Sequence, residues 1–183
     1  MCHGKFRKVF EATVERCLKA DLVAGERFAV DASLIPADAN KVRSVAVEDW
    51  VPEVACEAGN RAAREHLETP DDVASETASS VLPKFVAKSD PAAQWTRAED
   101  SRPNFSNATK YLIDTKSSVI MDVEATRAIR QAGVGASRTM LDRTEARFGI
   151  RPDWIAADTA EGNAENLGWL VRAWGHNIHS GHR

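Results

Sequence analysis

Two aspartates interrupt apolar runs of the chain. Asp31 lies within Phe28-Ala-Val-Asp-Ala-Ser-Leu-Ile35, between Gly25 and Pro36, and Asp158 directly follows Trp154-Ile-Ala-Ala157. Each run is short and mostly apolar, which is the pattern of a strand buried on both faces. A carboxylate buried there without a partner costs several kcal/mol, so something must compensate. If the two strands lie side by side, both carboxylates converge at the strands' carboxyl ends, and a divalent cation fits between them. Mg²⁺ suits such a site, since it takes one or two carboxylates and keeps its other positions for water and phosphate oxygens. The plainer alternative is that each Asp caps a turn or pairs with an arginine, the usual fate of an isolated aspartate.

Other candidate chemistry is weaker. Gly133-Val-Gly135-Ala-Ser-Arg138 begins like a dinucleotide fingerprint but lacks the third glycine, and it reads as a loop. His176, His179 and His182 could hold a metal if helical, yet Gly175 and Gly181 beside them favour a frayed tail. Asp114, Asp122 and Glu124 flank a hairpin and read as solvated strand faces. A phosphohydrolase with an Asp nucleophile would want a second acid two residues after the first, and that position holds Ser33.

The elements that must position Asp31 and Asp158 follow from periodicity. Phe6, Val9, Phe10, Thr13, Val14, Cys17 and Leu18 recur at helical spacing, giving a helical lead-in over residues 1–26. After the Asp31 strand the chain turns polar and acidic, with seven basic and twelve acidic side chains between residues 42 and 105. This reads as an inserted segment over about 42–106, mostly helical or irregular, with one helix between Pro52 and Leu67. The runs Thr109–Lys116 and Ser118–Ala125 imply an antiparallel hairpin turning near Lys116 to Ser118. A helix from Ala136 to Phe148 stops at Gly149, and another starts near Gly162. The tail over 172–183 has no periodicity and is expected to be unstructured. Strand, insert, hairpin, helix, strand and helix make an α/β domain with a mixed sheet.

With 183 residues and 43% hydrophobic side chains, the chain can bury one ordinary core. Cys2, Cys17 and Cys56 are too few and too scattered for a disulfide framework or a zinc ligand pair, which suits a reducing compartment. No apolar run is long enough to cross a membrane, and the start Met1-Cys2-His3-Gly4-Lys5 lacks a secretory signal, so a cytoplasmic location is expected, at the nucleoid if DNA-bound. The net charge of −3 argues against a surface that is basic throughout. Residues 1–20, however, carry five basic against two acidic side chains.

Four segments, in order, resemble bacterial insertion-sequence transposases of the DDE type. They are Val30-Asp31-Ala32-Ser33-Leu34-Ile35 with Ala37-Asp38-Ala39-Asn40; Asp90-Pro91-Ala92-Ala93-Gln94-Trp95; Tyr111–Lys116 running into Val119–Thr126; and Ala156-Ala157-Asp158-Thr159-Ala160. The resemblance covers roughly residues 6 to 171, and it implies a ribonuclease-H-like catalytic domain over 27–171. It further implies that Asp31 and Asp158 are catalytic and hold Mg²⁺ or Mn²⁺ for cleaving transposon-end DNA and joining it to a target.

The departures shape the expectation. The family's third acid is a Glu on a later helix, well beyond the second Asp, so the domain is expected to be incomplete at its C-terminus, with a further strand and that helix missing. The DNA-binding region that family members carry upstream is likewise expected to be missing. Glu161, where relatives usually have Tyr, sits on the wrong element to replace the third acid. The expected function is therefore that of an inactive transposase fragment. The alternative is a non-enzymatic inhibitor or subunit that self-associates or joins an intact transposase.

Overall fold

The computed structural model describes residues 3–49, 84–97, 102–128, 130–157, 164–174 and 179–180. Helix α1 (His3–Lys19) is followed by strand β1 (Arg27–Pro36), and three short strands come next: β2 (Ser44–Ala46), β3 (Phe85–Ala87) and β4 (Gln94–Thr96). Then come β5 (Asn104–Asp114), β6 (Val119–Arg127), helix α2 (Arg130–Phe148), β7 (Trp154–Ala157), helix α3 (Ala164–Trp174) and β8 (His179–Ser180).

One mixed sheet runs β4-β5-β1-β7-β8, with β6 also paired to β5. Strands β1 and β7 are parallel, with Phe28 opposite Ile155 and Ala29 opposite Ala156. Strand β8 adds to β7 in parallel, pairing His179 with Ala156. The connection from β5 to β6 spans only residues 115–118, too short for anything but an antiparallel hairpin. Strand β5 also runs against β1, because the Thr115 N–H donates to the Arg27 carbonyl at 3.0 Å and the Ala37 N–H to the Phe105 carbonyl at 2.8 Å. The α/β class with a mixed sheet thus agrees with the sequence pattern.

The described chain forms two compact units, to both of which β1, β5, β6 and α2 contribute residues. The first holds residues 1–31, 110–124 and 137–183. Its core is Val14, Val23, Phe28, Val30, Leu112, Met121, Met140, Leu141, Ile155 and Leu170. Helix α1 enters this core through Val14, with Phe10, Cys17 and Leu18 half-buried against it, while Phe6 and Val9 stay 76% and 67% exposed. Only part of the expected apolar face is therefore used.

Helix α1 stops where its last carbonyls find other donors. Leu22 N–H bonds the Cys17 carbonyl and Asp21 N–H the Leu18 carbonyl, both at 3.0 Å, with Asp21 at φ 55°. This is a Schellman closure, and aspartate is one of the few residues that tolerate its left-handed position. Helix α2 ends at Gly149, φ +67°, as expected from the sequence.

The second unit, residues 32–109 and 125–136, is built around Phe105, Ala87 and Ala93, flanked by Phe85 and Trp95. The Trp95 ring meets Phe105 edge-on at 5.1 Å and Phe85 at 6.5 Å. Strands β2 and β3 pair antiparallel through Val45 and Val86.

Several expectations need correction. Among its described residues, the segment 42–106 contains β2, β3, β4 and the start of β5, because residues such as Val45, Phe85, Val86 and Trp95 suit a pleated, half-buried surface. The helix expected between Pro52 and Leu67 lies outside the described residues. Gly133 and Gly135 are within α2 rather than in a loop, so tertiary packing overrides the modest helical cost of glycine. The expected unstructured tail is helical to Trp174 and pairs as a strand at His179–Ser180.

A glycine pair offers a test of the packing. At Gly25, φ +75°, an added Cβ would stand 2.9 Å from Ile150 Cγ2, whereas at Gly149 it would meet nothing within 4 Å. Both alanine variants carry the left-handed penalty of about 1–2 kcal/mol. Gly25→Ala should lower the melting temperature clearly more than Gly149→Ala, and equal losses would contradict the close approach of Ile150.

Candidate functional site

Strand β1 carries Asp31 one residue beyond buried Val30. The burial expected along this strand ends there, since Asp31 and residues 32–36 are exposed. Side chains alternate across a strand, so Phe28 and Val30 share the core face while Ala29 and Asp31 share the other. Asp31 is therefore not in the buried setting in which the expected desolvation cost would arise. Ala157 closes β7, and Asp158, the next residue, lies outside the described residues, as does Glu161. His179 is in β8, whereas His176 and His182 are outside the described set. Among the described residues, no group of three or more His, Cys, Asp or Glu could hold a metal ion together.

Of the three hairpin carboxylates expected to be solvated, Asp114 and Asp122 are buried and Glu124 is partly exposed. Asp114 is fully buried, and its Oδ2 accepts from Gly25 N–H at 2.8 Å while Oδ1 accepts from Lys116 N–H at 3.0 Å. It therefore closes the start of the β5–β6 turn and ties it to the chain entering β1. Two backbone donors satisfy this acid.

Asp122 on β6 is 1% exposed, and two guanidiniums converge on it. Arg7 of α1 donates through Nη1 to Oδ1 at 2.6 Å, and Arg143 of α2 donates through Nε to Oδ2 at 2.8 Å. Val123 N–H adds a third bond to Oδ1 at 2.8 Å. The arginines are themselves shared, Arg7 with Glu11 at 2.9 Å and Arg143 with Glu124 at 2.5 Å. Arg147 extends the chain of ion pairs to Glu11 and Glu15, at 3.2 and 2.7 Å.

These contacts set the local electrostatics. Burial works against the Arg7 charge, but its hydrogen bonds to Asp122 and Glu11 outweigh that and hold its pKa above the ordinary guanidinium value. The Arg7 hydrogen bond, helped by Arg147, holds Glu11 below the usual carboxylate range. With its oxygens engaged by two cations and an amide, Asp122 has a structural role. Strand alternation gives no sign of this burial, because Met121 and its neighbour Asp122 point to opposite faces of β6 and both are buried.

The segment Asp90–Trp95, the second of the four blocks singled out in the sequence, also has a local structural role. Asp90 accepts from Ala93 N–H through Oδ1 at 3.3 Å and from Asn107 Nδ2 through Oδ2 at 2.9 Å, which sets the turn before β4. In the first block, Asn40 Oδ1 accepts from Val42 N–H at 2.9 Å and caps a single 3₁₀ turn, Lys41–Arg43. No helix among the described residues is long and apolar enough to cross a membrane. No protein-family model, curated protein or solved structure matches the chain.

Two measurements separate structural from candidate chemical acids. Asp122→Asn leaves a buried neutral amide facing two guanidiniums that are about a third exposed and still paired with Glu11 and Glu124, a loss of roughly 1–3 kcal/mol, whereas Asp31→Asn at an exposed site should cost under about 1 kcal/mol. Denaturant melts of the two variants should differ accordingly. Because Glu11 is held below its ordinary value, its contribution is complete above about pH 4.3 and fades as pH falls through the lower folded value. Glu11→Gln should therefore depress the melting temperature at pH 7 and lie closer to wild type at pH 3.

Proposed function

We propose that the chain is a transposase-derived polypeptide of the DDE type with a ribonuclease-H-like domain, in which Asp31 and Asp158 are the metal-binding acids. The observation that carries this reading is the register of β1 and β7. Ala29 is the partner of Ala156, and Asp31 and Asp158 each stand two residues further along their own strand direction in the sequence. The strand order β6-β5-β1-β7-β8, with a hairpin feeding the strand beside β1 and a helical crossover into β7, supports the same reading.

The exposed Asp31 carboxylate fits a hard cation that keeps several of its waters. Mg²⁺ or Mn²⁺, when bound, supplies Lewis-acid polarisation of a phosphodiester oxygen and a more acidic water. The protein's part is to hold carboxylates on rigid neighbouring strands, where small errors of position are costly. With Asp31 and Asp158 as the acids that this reading assigns, weak ion binding and no strand transfer by the chain alone are the expected outcomes.

Mn²⁺ binding, followed by electron paramagnetic resonance of the free ion, tests this. Asp31→Asn and Asp158→Asn should each weaken binding at least tenfold, while a distant acid, Glu15→Gln, should not. Binding unchanged in both aspartate variants would remove the site. Efficient joining of transposon ends by the purified chain, lost in Asp31→Ala, would overturn the inactive state and favour the family.

A further inference from the structure

The second unit holds a cavity of about 330 Å³ lined by Asp38, Asn40, Arg43, Ala87, Lys88 and Ser89. Arg43 and Lys88 are exposed, and neither has an ion pair among the described residues. The Asn40 carboxamide spends its oxygen on Val42 N–H, which leaves its Nδ2 as a donor at the cavity. Asp38 also lines the space and offsets one of the two cations, so the cavity carries a net charge of about one positive unit. The Ser89 hydroxyl donates to the Asp38 carbonyl at 3.1 Å and tethers the two lining segments.

The 3₁₀ turn that carries Arg43 and the strand that carries Ala87 also contribute, with β4, to an aromatic shelf. Lys41, two residues before Arg43, places its ammonium 4.7 Å from the Phe85 ring centre and 5.0 Å from that of Trp95. Phe85 and Trp95 are half-buried and lie edge to face. An exposed cation–π contact is weak, and base–aromatic stacking outweighs it. A nucleobase can therefore displace the Lys41 side chain and free its charge for the strand backbone.

We propose that this cavity and shelf form a nucleotide subsite for single-stranded nucleic acid, with one phosphodiester held by Arg43, Lys88 and Asn40 and a neighbouring base on Phe85 and Trp95. The charge balance selects the ligand. A diester linkage carries one negative charge and matches the net charge of the cavity, whereas a phosphate monoester or inorganic phosphate carries nearly two at neutral pH. The subsite lies wholly in the second unit and does not depend on metal binding at Asp31.

The test is fluorescence anisotropy of the full chain with a labelled oligothymidylate of about twelve nucleotides, without divalent ions. Binding should weaken at least tenfold in Arg43→Ala/Lys88→Ala, and the dependence of log affinity on log salt should flatten by roughly 1.4, or about 0.7 for each cation removed from the strand backbone. Phe85→Leu should weaken binding with the salt slope unchanged. The control pair Arg16→Ala/Lys19→Ala, exposed on α1, should leave affinity within twofold. Inorganic phosphate and thymidine monophosphate at millimolar concentration should compete poorly. Absence of binding, an equal loss in the control pair, or strong competition by inorganic phosphate would each overturn the proposal. Melting temperatures of the variants within a few degrees of wild type keep a loss of binding attributable to the removed groups.

Discussion

The first unit is organised around a charge that water cannot reach. Asp122 is buried, and its ionised form is tolerable only because Arg7 and Arg143 meet its two oxygens while Val123 N–H supplies another bond. Those arginines come from the first helix and from the helix that follows the hairpin. One carboxylate thereby fixes the rotation of both helices against β6. Apolar packing through Val14, Met140 and Leu141 would hold the helices close without specifying which way they turn. The ionic cluster adds that directional constraint.

Asp114 gives the second polar constraint, joining the hairpin turn to Gly25 just before β1. Gly25 can offer its N–H there because its φ of +75° and missing Cβ admit Ile150 alongside. The sheet's central strand thus begins at a point held by a carboxylate and a close apolar contact. The exposed half of β1, with Asp31 at its start, then extends from an anchored segment. Such a strand can present a carboxylate to solvent with little positional freedom.

Much of this architecture could be read from periodicity. Strand β7 at Trp154–Ala157, the hairpin, the Gly149 stop and the first helix all follow from local patterns that agree with the fold. What could not be read depends on partners distant in the chain. Nothing near Asp122 in the sequence announces Arg7, and nothing near Asp114 announces Gly25. The glycines at 133 and 135 favour a loop locally, yet both lie within a helix. For the candidate site, the sequence suggested neighbouring strands for Asp31 and Asp158, and β1 and β7 are parallel neighbours. Its premise of burial fails at Asp31, because an apolar composition does not say where along a strand the core ends.

The pairing of β1 with β7 also bears on how the chain reaches this state. Residues 29 and 156 become partners only after everything between them has been made. At roughly 5–20 residues per second, a ribosome would expose β1 for about ten seconds before β7 exists. The β5–β6 hairpin, local in sequence, closes in microseconds once made. The parallel contact closes a long stretch of chain, and its loop-closure entropy makes it slow, so Phe28 stays without its neighbour Ile155 until that loop is closed.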